Sequence, residues 1–243
     1  MRIIKVSATE STNNLAKEWY VSNKDSGAVV FVTDEQTAGR GQRGATWNSN
    51  RGENLTMSLL FPLPSLEINE QFLLSAGVGL AITKALKLLN FNTVRLKWPN
   101  DIMAANKKIG GILIENILSN GRIAASVIGL GLNVNQQIFP DLPQASSLRN
   151  LSSKEYELEE VLNVVVKSIE DFVNTLDRNS SEKIFQKYEA LLFKKDKIST
   201  FELKDGNFLT GIIVGVTSTG LLKVRVEDEV LKPFDLKEVK LLF

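Results

Sequence analysis

The chain has 243 residues, 29 basic and 28 acidic side chains for a formal net charge of +1, and neither cysteine nor histidine. Those two absences exclude disulfides, thiolate nucleophiles, Cys zinc sites, a Ser-His-Asp triad and an HExxH metalloprotease helix. Catalysis would have to run on carboxylates, Lys, Arg, amides, hydroxyls and backbone groups, and a near-neutral balance argues against a protein devoted to nucleic acid.

A length of this order suggests one to two domains. No uninterrupted apolar run approaches a membrane span, and the opening MRIIKVSATEST lacks a signal-peptide core, so the expectation is a cytoplasmic protein with no membrane partner. Arg2–Ser7 reads as a strand, and Ser11 or Thr12 caps a helix to about Ser22. Gly27–Thr33 is a β-branched, buried strand. Residues 34–52 form a Gly/Arg/Asn-rich segment with no period, the kind of long loop that compact domains keep for binding. Asn54–Phe61 is a strand stopped by Pro62 and Pro64. Asn69 caps a helix to about Leu89 that is apolar on more than one side, hence central and buried. Thr93–Trp98, Ile102–Ala104, Lys108–Leu118 and Arg122–Leu130 follow as strands, with turns at Pro99-Asn100-Asp101, Ala105-Asn106-Lys107 and Ser119-Asn120-Gly121. Residues 135–147 are a loop, and Tyr156–Leu176 and Glu182–Leu192 are amphipathic helices. From about Ile198 short strands and tight turns suggest a small β-barrel. The expected architecture is α+β: one mainly antiparallel sheet with helices on a face (residues 1–195) and a small β domain (196–243).

Gly39-Arg40-Gly41-Gln42-Arg43-Gly44 matches the dinucleotide fingerprint G-x-G-x-x-G, but the context is wrong. The fingerprint opens a helix, and Ala45–Gly52 is no helix former. The loop nevertheless offers backbone amides for close approach, two guanidinium groups for an anion and the face of Trp47 for a flat ring. A flexible, solvated surface loop is the alternative.

The company this loop keeps points further. Thr33 to Gly44, with Trp47 beyond it, resembles the biotin-binding loop of biotin protein ligases. Lys97-Trp98-Pro99-Asn100-Asp101 resembles that family's KWPND signature, and Lys107 to Glu115 its K-[LIV]-[AGC]-G-I-L-[LIV]-E strand. Gly129-Leu130-Gly131-Leu132-Asn133 and Ser11-Thr12-Asn13 match two further motifs, in order, across residues 11–133. The C-terminal β segment fits the family's SH3-like domain in pattern. A lipoate–protein ligase would share the fold, and the pairing of KWPND with GRGQRG…W argues against it.

The resemblance implies an enzyme that joins biotin to ATP as biotinyl-5′-adenylate, with Mg²⁺, and passes biotin to a lysine on the carrier domain of a biotin-dependent carboxylase. No dense carboxylate cage is visible in the sequence, so no firm protein ligand for the metal is assigned; Asp101 would orient a lysine or help bind Mg²⁺ together with phosphates. A homodimer is compatible with the resemblance. Because the chain begins at the catalytic motifs, no repressor function is expected. Ser11, Thr12, Asn13 and Gln36 would lie beside the ureido ring. Gly39, Arg40, Gly41 and Gln42 would close over the ligand, with Arg43 assisting at the phosphate. Many family members carry Arg where this chain has Gln42. Lys108 would reach both the biotin carboxylate and the α-phosphate, while Lys107 points to the opposite face. Asn100 and Asn133 would line the nucleotide side with Trp47 as a stacking partner, and Trp98 would be core. Gly110, Gly111, Gly129 and Gly131 would allow close approach to the ligand, or mark bulges. Asp101, or solvent, would accept the proton of the incoming lysine.

Overall fold

The computed structural model describes residues 1–63, 66–176 and 180–243, and of Arg43 the backbone alone. The stop expected at Pro64 lies outside the described residues, while Pro62 is the last residue of its strand. Seven strands form the larger sheet: β1 (Arg2–Thr9), β2 (Val29–Gln36), β3 (Leu55–Pro62), β4 (Arg95–Lys97), β5 (Asp101–Ala104), β6 (Lys107–Ser119) and β7 (Arg122–Leu132). Their spatial order is β1-β2-β3-β7-β6-β5-β4. β1 and β2 run parallel, joined by the crossover helix α1 (Thr12–Ser22), and the other pairings in the sheet are antiparallel. The two tight hairpins arise where the chain accepts left-handed backbone. Ala105 and Asn106 sit at φ of 48° and 61°, and Asn120 and Gly121 at 50° and 75°, as two-residue turns between twisted strands require.

Helices cover both faces of this sheet, not one. Successive strand residues point to opposite sides, and β2, Val-Val-Phe-Val at its start, is apolar at both parities. Val30, Met57, Leu59, Ile128 and Leu130 face α2 (Gln71–Leu88) and α4 (Leu158–Asn174). Val29, Phe31, Leu60 and Val127 form a separate cluster with Ala16 of α1 on the opposite side. α2 has the length and mean hydropathy of a membrane span, yet residues around its whole circumference are buried between sheet, α4 and the C-terminal region. Each such aliphatic side chain contributes about 1.5–3 kcal/mol on burial. Asn69 does not cap α2. A 3₁₀ turn, Ile68–Glu70, precedes the helix, and Glu67 and Glu70 form a reciprocal capping box there.

After the short helix α3 (Leu148–Ser152), α4 and α5 (Ser181–Ala190), a second antiparallel sheet is built from β8 (Ile198–Leu203), β9 (Phe208–Val216), β10 (Leu222–Arg225), β11 (Leu231–Phe234) and β12 (Val239–Leu241), in the order β11-β10-β9-β8-β12. Phe201, Ile213 and Val224 of this sheet pack with Phe72, Leu96, Trp98, Tyr188 and Leu192. Trp98 is core, its indole N–H donating to the Gly220 carbonyl at 2.9 Å. The outer edge of β4 is closed by the residues that lead into the second sheet. The Leu96 N–H donates to the Leu191 carbonyl and the Phe193 N–H to the Leu96 carbonyl, each at 2.9 Å.

Candidate active site

On the α1 side of the sheet, the ends of β2, β3, β6 and β7 and the start of α1 surround a cavity of about 390 Å³. One wall is a continuous hydrogen-bond network. The first turn of α1 has orphan N–H groups, and Ser11, in the capping position, makes no side-chain cap. Gln36, 24 residues on in sequence, does the capping: its Oε1 accepts from the Thr12 N–H at 2.8 Å and from the Thr12 hydroxyl at 3.1 Å. The Ser58 hydroxyl bonds Thr12 Oγ1 at 2.7 Å and also reaches Asn13 Oδ1. The Asn13 amide donates to Glu115 at 2.7 Å and to the Leu113 carbonyl at 3.3 Å. Gly129 makes room for this, since a Cβ there would stand 2.4 Å from Asn13 Oδ1. Glu115 also binds Lys17 and Arg40. Partial burial pushes its carboxyl up, but hydrogen bonds from Lys17 and Asn13, with the charges of Lys17 and Arg40, bring it below the ordinary value of 4.5.

At the far end of the cavity three charged groups meet. Lys108 Nζ lies 2.6 Å from one Asp101 oxygen, and Lys97 Nζ lies 3.1 Å from the other. The hairpin β4–β5 sets Lys97 opposite Asp101, and β5–β6 brings Lys108 back beside it across a register shift. Lys107 points elsewhere, donating to the Pro143 carbonyl at 2.5 Å. Asn100 lines the cavity and is anchored by its amide to the Ile112 carbonyl at 2.8 Å. The intervening Trp98–Pro99 peptide is cis.

The glycine loop forms the cover. The Gly41 N–H donates to the Ala45 carbonyl at 2.6 Å and the Trp47 N–H to the Gly39 carbonyl at 3.0 Å, so the segment folds back on itself around a single 3₁₀ turn, Gln42–Gly44. Arg40 reaches Asn14 and Glu115. The Trp47 indole lies flat on the sheet at Gly131, where a Cβ would come within 2.3 Å of the ring. Lys108 Nζ sits 5.8 Å from the ring centroid. Two buried polar atoms in this cover, Gln42 Oε1 and Trp47 Nε1, have no hydrogen-bond partner.

Ser11, Thr12, Asn13, Gln36, Arg40, Gly41, Gln42, Trp47, Asn100, Asp101, Lys108, Gly111 and Gly131 therefore gather round one cavity. Gly39 sits just behind its wall, pinned between Trp47 and Gln36. The Arg43 side chain lies outside the described residues. Asn133 does not line the cavity. It is buried below the sheet end, its amide donating to the Ser146 carbonyl at 2.9 Å, which makes it a fastener for the 135–147 loop. The close-approach glycines also need correcting: space at Gly129 is filled by Asn13, at Gly131 by Trp47, and at Gly110 by the neighbouring strand. Lys97, Glu115 and Lys240 of β12 are site residues beyond those expected. Lys97 and Glu115 stand inside motifs and were open to being found. Nothing in the pattern around Lys240 announces that the second sheet reaches the cavity. Asp101 stands at the lysine end of the cavity with both its oxygens paired to lysines, and Glu115, in the opposite wall, is taken up by Asn13, Lys17 and Arg40. That donor set suits a cation arriving on nucleotide phosphates better than one caged by protein.

Residues 5–133, which hold most of β1, all of β2 through β7 and nearly all of this cavity, match the family model described as "Biotin/lipoate A/B protein ligase family". The chain belongs to this family. Within it, the chain is 36% identical over 133 residues to the bifunctional ligase/repressor BirA of Bacillus spizizenii, covering 54% of this chain and 40% of that protein. It thus spans less than half the length of that relative. It is 28% identical over 222 residues to the biotin–[acetyl-CoA-carboxylase] ligase of Mycobacterium tuberculosis, covering 89% of this chain and 80% of the relative. Among solved structures, the biotin protein ligase from Aquifex aeolicus in complex with biotin and ATP superposes with a TM-score of 0.81 at 28% identity, over 99% of this chain and 98% of that one. The Leishmania major enzyme in complex with biotinyl-5-AMP gives 0.68 at 25% identity, over 96% of this chain and 98% of that one.

Proposed function

We propose that the protein activates biotin with ATP to biotinyl-5′-adenylate and pyrophosphate, then transfers biotin to a lysine on the carrier domain of a biotin-dependent carboxylase. One observation carries the reading. A single cavity joins a polar, pre-bonded wall to a lysine pair at its far end under a glycine-rich cover, in a chain that aligns along nearly its whole length with a ligase holding biotin and ATP.

The chemistry suits a protein without imidazole or thiol. An aliphatic carboxylate is already ionised near neutral pH. Its attack on the α-phosphate needs in-line placement and neutralisation of developing charge, not a base. In this reading the wall of Ser11, Thr12, Asn13 and Gln36 takes the ureido ring. Lys108 bridges the carboxylate and the α-phosphate, with Arg40 and Arg43 on the loop and Lys97 behind. Gly39 to Gln42 and Trp47 close over the adenylate, and Asn100 stands at the nucleotide side. When bound with ATP, Mg²⁺ would supply positive charge at the phosphates, with Asp101 the carboxylate nearest to that end of the cavity.

The second step needs a neutral acceptor amine, whose reference pKa is near 10.4. Asp101 is the group we assign to take its proton. It can do so only by releasing Lys97 or Lys108, so it also orients both. Asp101→Asn is expected to slow transfer to the carrier more than adenylate formation. Equal losses in the two half-reactions would leave it the orienting role alone.

Residues 196–243 are proposed as a second domain whose β12 contributes Lys240 to the cavity. The decisive assay incubates protein with biotin, ATP and Mg²⁺ and looks by mass for biotinyl-AMP and pyrophosphate, with lipoate as the competing acid. Adenylation of lipoate but not biotin would overturn the assignment.

A further inference from the structure

Next to the proposed catalytic cavity lies a second one of about 670 Å³, between the β4–β5–β6 hairpins and the segment 190–197 that leads into the second sheet. Arg95, Lys194, Lys195 and Lys197 line it, against a single carboxylate, Asp196. Among the described residues none of the four cations lies in an ion pair. The Arg95 guanidinium donates only to its neighbour's carbonyl at 3.0 Å, and Lys194 Nζ stands 5.5 Å over the Phe193 ring. Charges of one sign in a concave surface focus the field and attract an opposite partner.

Position gives this cavity its meaning. Leu96 of β4 points into the core, so Arg95 and Lys97 share the other face of the strand, about 7 Å apart. Lys97 lines the catalytic cavity and Arg95 the basic one. Asn106 and Lys108 divide between the two cavities in the same way. The Phe243 ring lies under Lys97, 4.8 Å from its Nζ, and makes an edge contact with Phe193 at 5.3 Å, so it forms the ridge between the two openings.

From this continuity we propose that the basic cavity docks an acidic stretch of the acceptor protein, beside the lysine presented to Asp101. The inference rests on the ligase reading for the identity of the partner. Steering charges at the rim of an interface act on encounter and its salt dependence, not on chemistry at a distance. The cavity should therefore govern acceptor recognition and leave adenylate formation alone.

The test uses the full chain with an isolated, unbiotinylated carrier domain that has carboxylates flanking its lysine, and a version with those carboxylates changed to amides. Arg95→Glu combined with Lys195→Glu should release pyrophosphate from biotin and ATP at the wild-type rate. Its KM for the acidic carrier should rise roughly tenfold, and most of the salt dependence should vanish. The amide carrier should barely distinguish the two proteins. Asp196→Asn, which keeps a residue tolerant of the left-handed backbone found there at φ 57°, should lower that KM. Carrier affinity is read by calorimetry alongside turnover. A carrier affinity within twofold of wild type in the double variant would overturn the proposal. So would a raised KM for ATP in place of the carrier, since the cavity would then serve the nucleotide. If the wild type released no pyrophosphate, the ligase reading would fall and the calorimetric comparison would still decide this one.

Discussion

The two sides of the catalytic cavity are built on different principles. On the α1 side Thr12, Asn13, Gln36, Ser58 and Glu115 satisfy one another through side-chain bonds that cross the fold. On the loop side, residues 39–47 are held by three main-chain hydrogen bonds among themselves and by the Arg40 side chain reaching Asn14 and Glu115, and the cover buries two polar atoms with no partner. A buried polar group left unpaired costs roughly 1–3 kcal/mol, so a ligand that bonded Gln42 Oε1 or Trp47 Nε1 would gain from the cover in a way that it would not from the wall. In the proposed function the wall is a preformed reader of the ligand, and the loop is a part whose bonding would improve on its arrival.

The largest effect expected is at the junction of the two. Lys108→Ala removes the charge that both sides present, and adenylate formation should fall about 100- to 1000-fold. Biotin-dependent release of pyrophosphate measures this, and a near-normal rate would end the assignment of Lys108. The contrast between wall and cover is tested by a pair of glycines. Gly129→Ala drives a methyl group into a fixed Asn13 and should destabilise the protein by about 1–3 kcal/mol, as overpacking does. Gly131→Ala meets the Trp47 ring first, and that ring can move, so its melting temperature should fall less while ligand affinity changes. Equal losses of Tm would show the cover to be as rigid as the wall. Trp47→Phe deletes one unpartnered donor and should leave stability within about 1 kcal/mol of wild type or raise it.

The smallest effect is a pH dependence confined to the wall. The Glu115 carboxyl is held below its unfolded value near 4.5. Its contribution to stability is therefore complete above that value and is lost as pH falls through the folded one. Glu115→Gln should be less stable than wild type at neutral pH and lose less on acidification below about 4.5. Parallel acid-denaturation curves would deny Glu115 that part.

What sequence could show here was local. Asn120-Gly121 and Asn106 announced their hairpins because residues that favour left-handed backbone are few in kind, while Ala105 shares that conformation without announcing it. The motif residues announced the cavity because a tight loop and a charged strand end need particular side chains. What it could not show depended on distance. Gln36 caps a helix that begins 24 residues earlier, and this is invisible to any scan of neighbouring residues. Asn133 looks like a ligand residue within its motif and turns out to fasten the 135–147 loop. Helices on both faces follow from β2 being apolar at both parities, which reads equally well as a strand buried in other ways. Lys240 reaches the cavity from a separate sheet, and no period or spacing connects it to Lys108.

The closed edge of β4 has a thermodynamic consequence. Leu96 exchanges main-chain hydrogen bonds with Leu191 and Phe193, in the segment that leads into β8 at Ile198. Arg95 and Lys97 flank Leu96. The smaller sheet therefore cannot peel away without fraying the strand that carries Lys97 of one cavity and Arg95 of the other. Loss of the C-terminal sheet and loss of catalytic geometry become a single cooperative event, and heat should abolish activity and structure together.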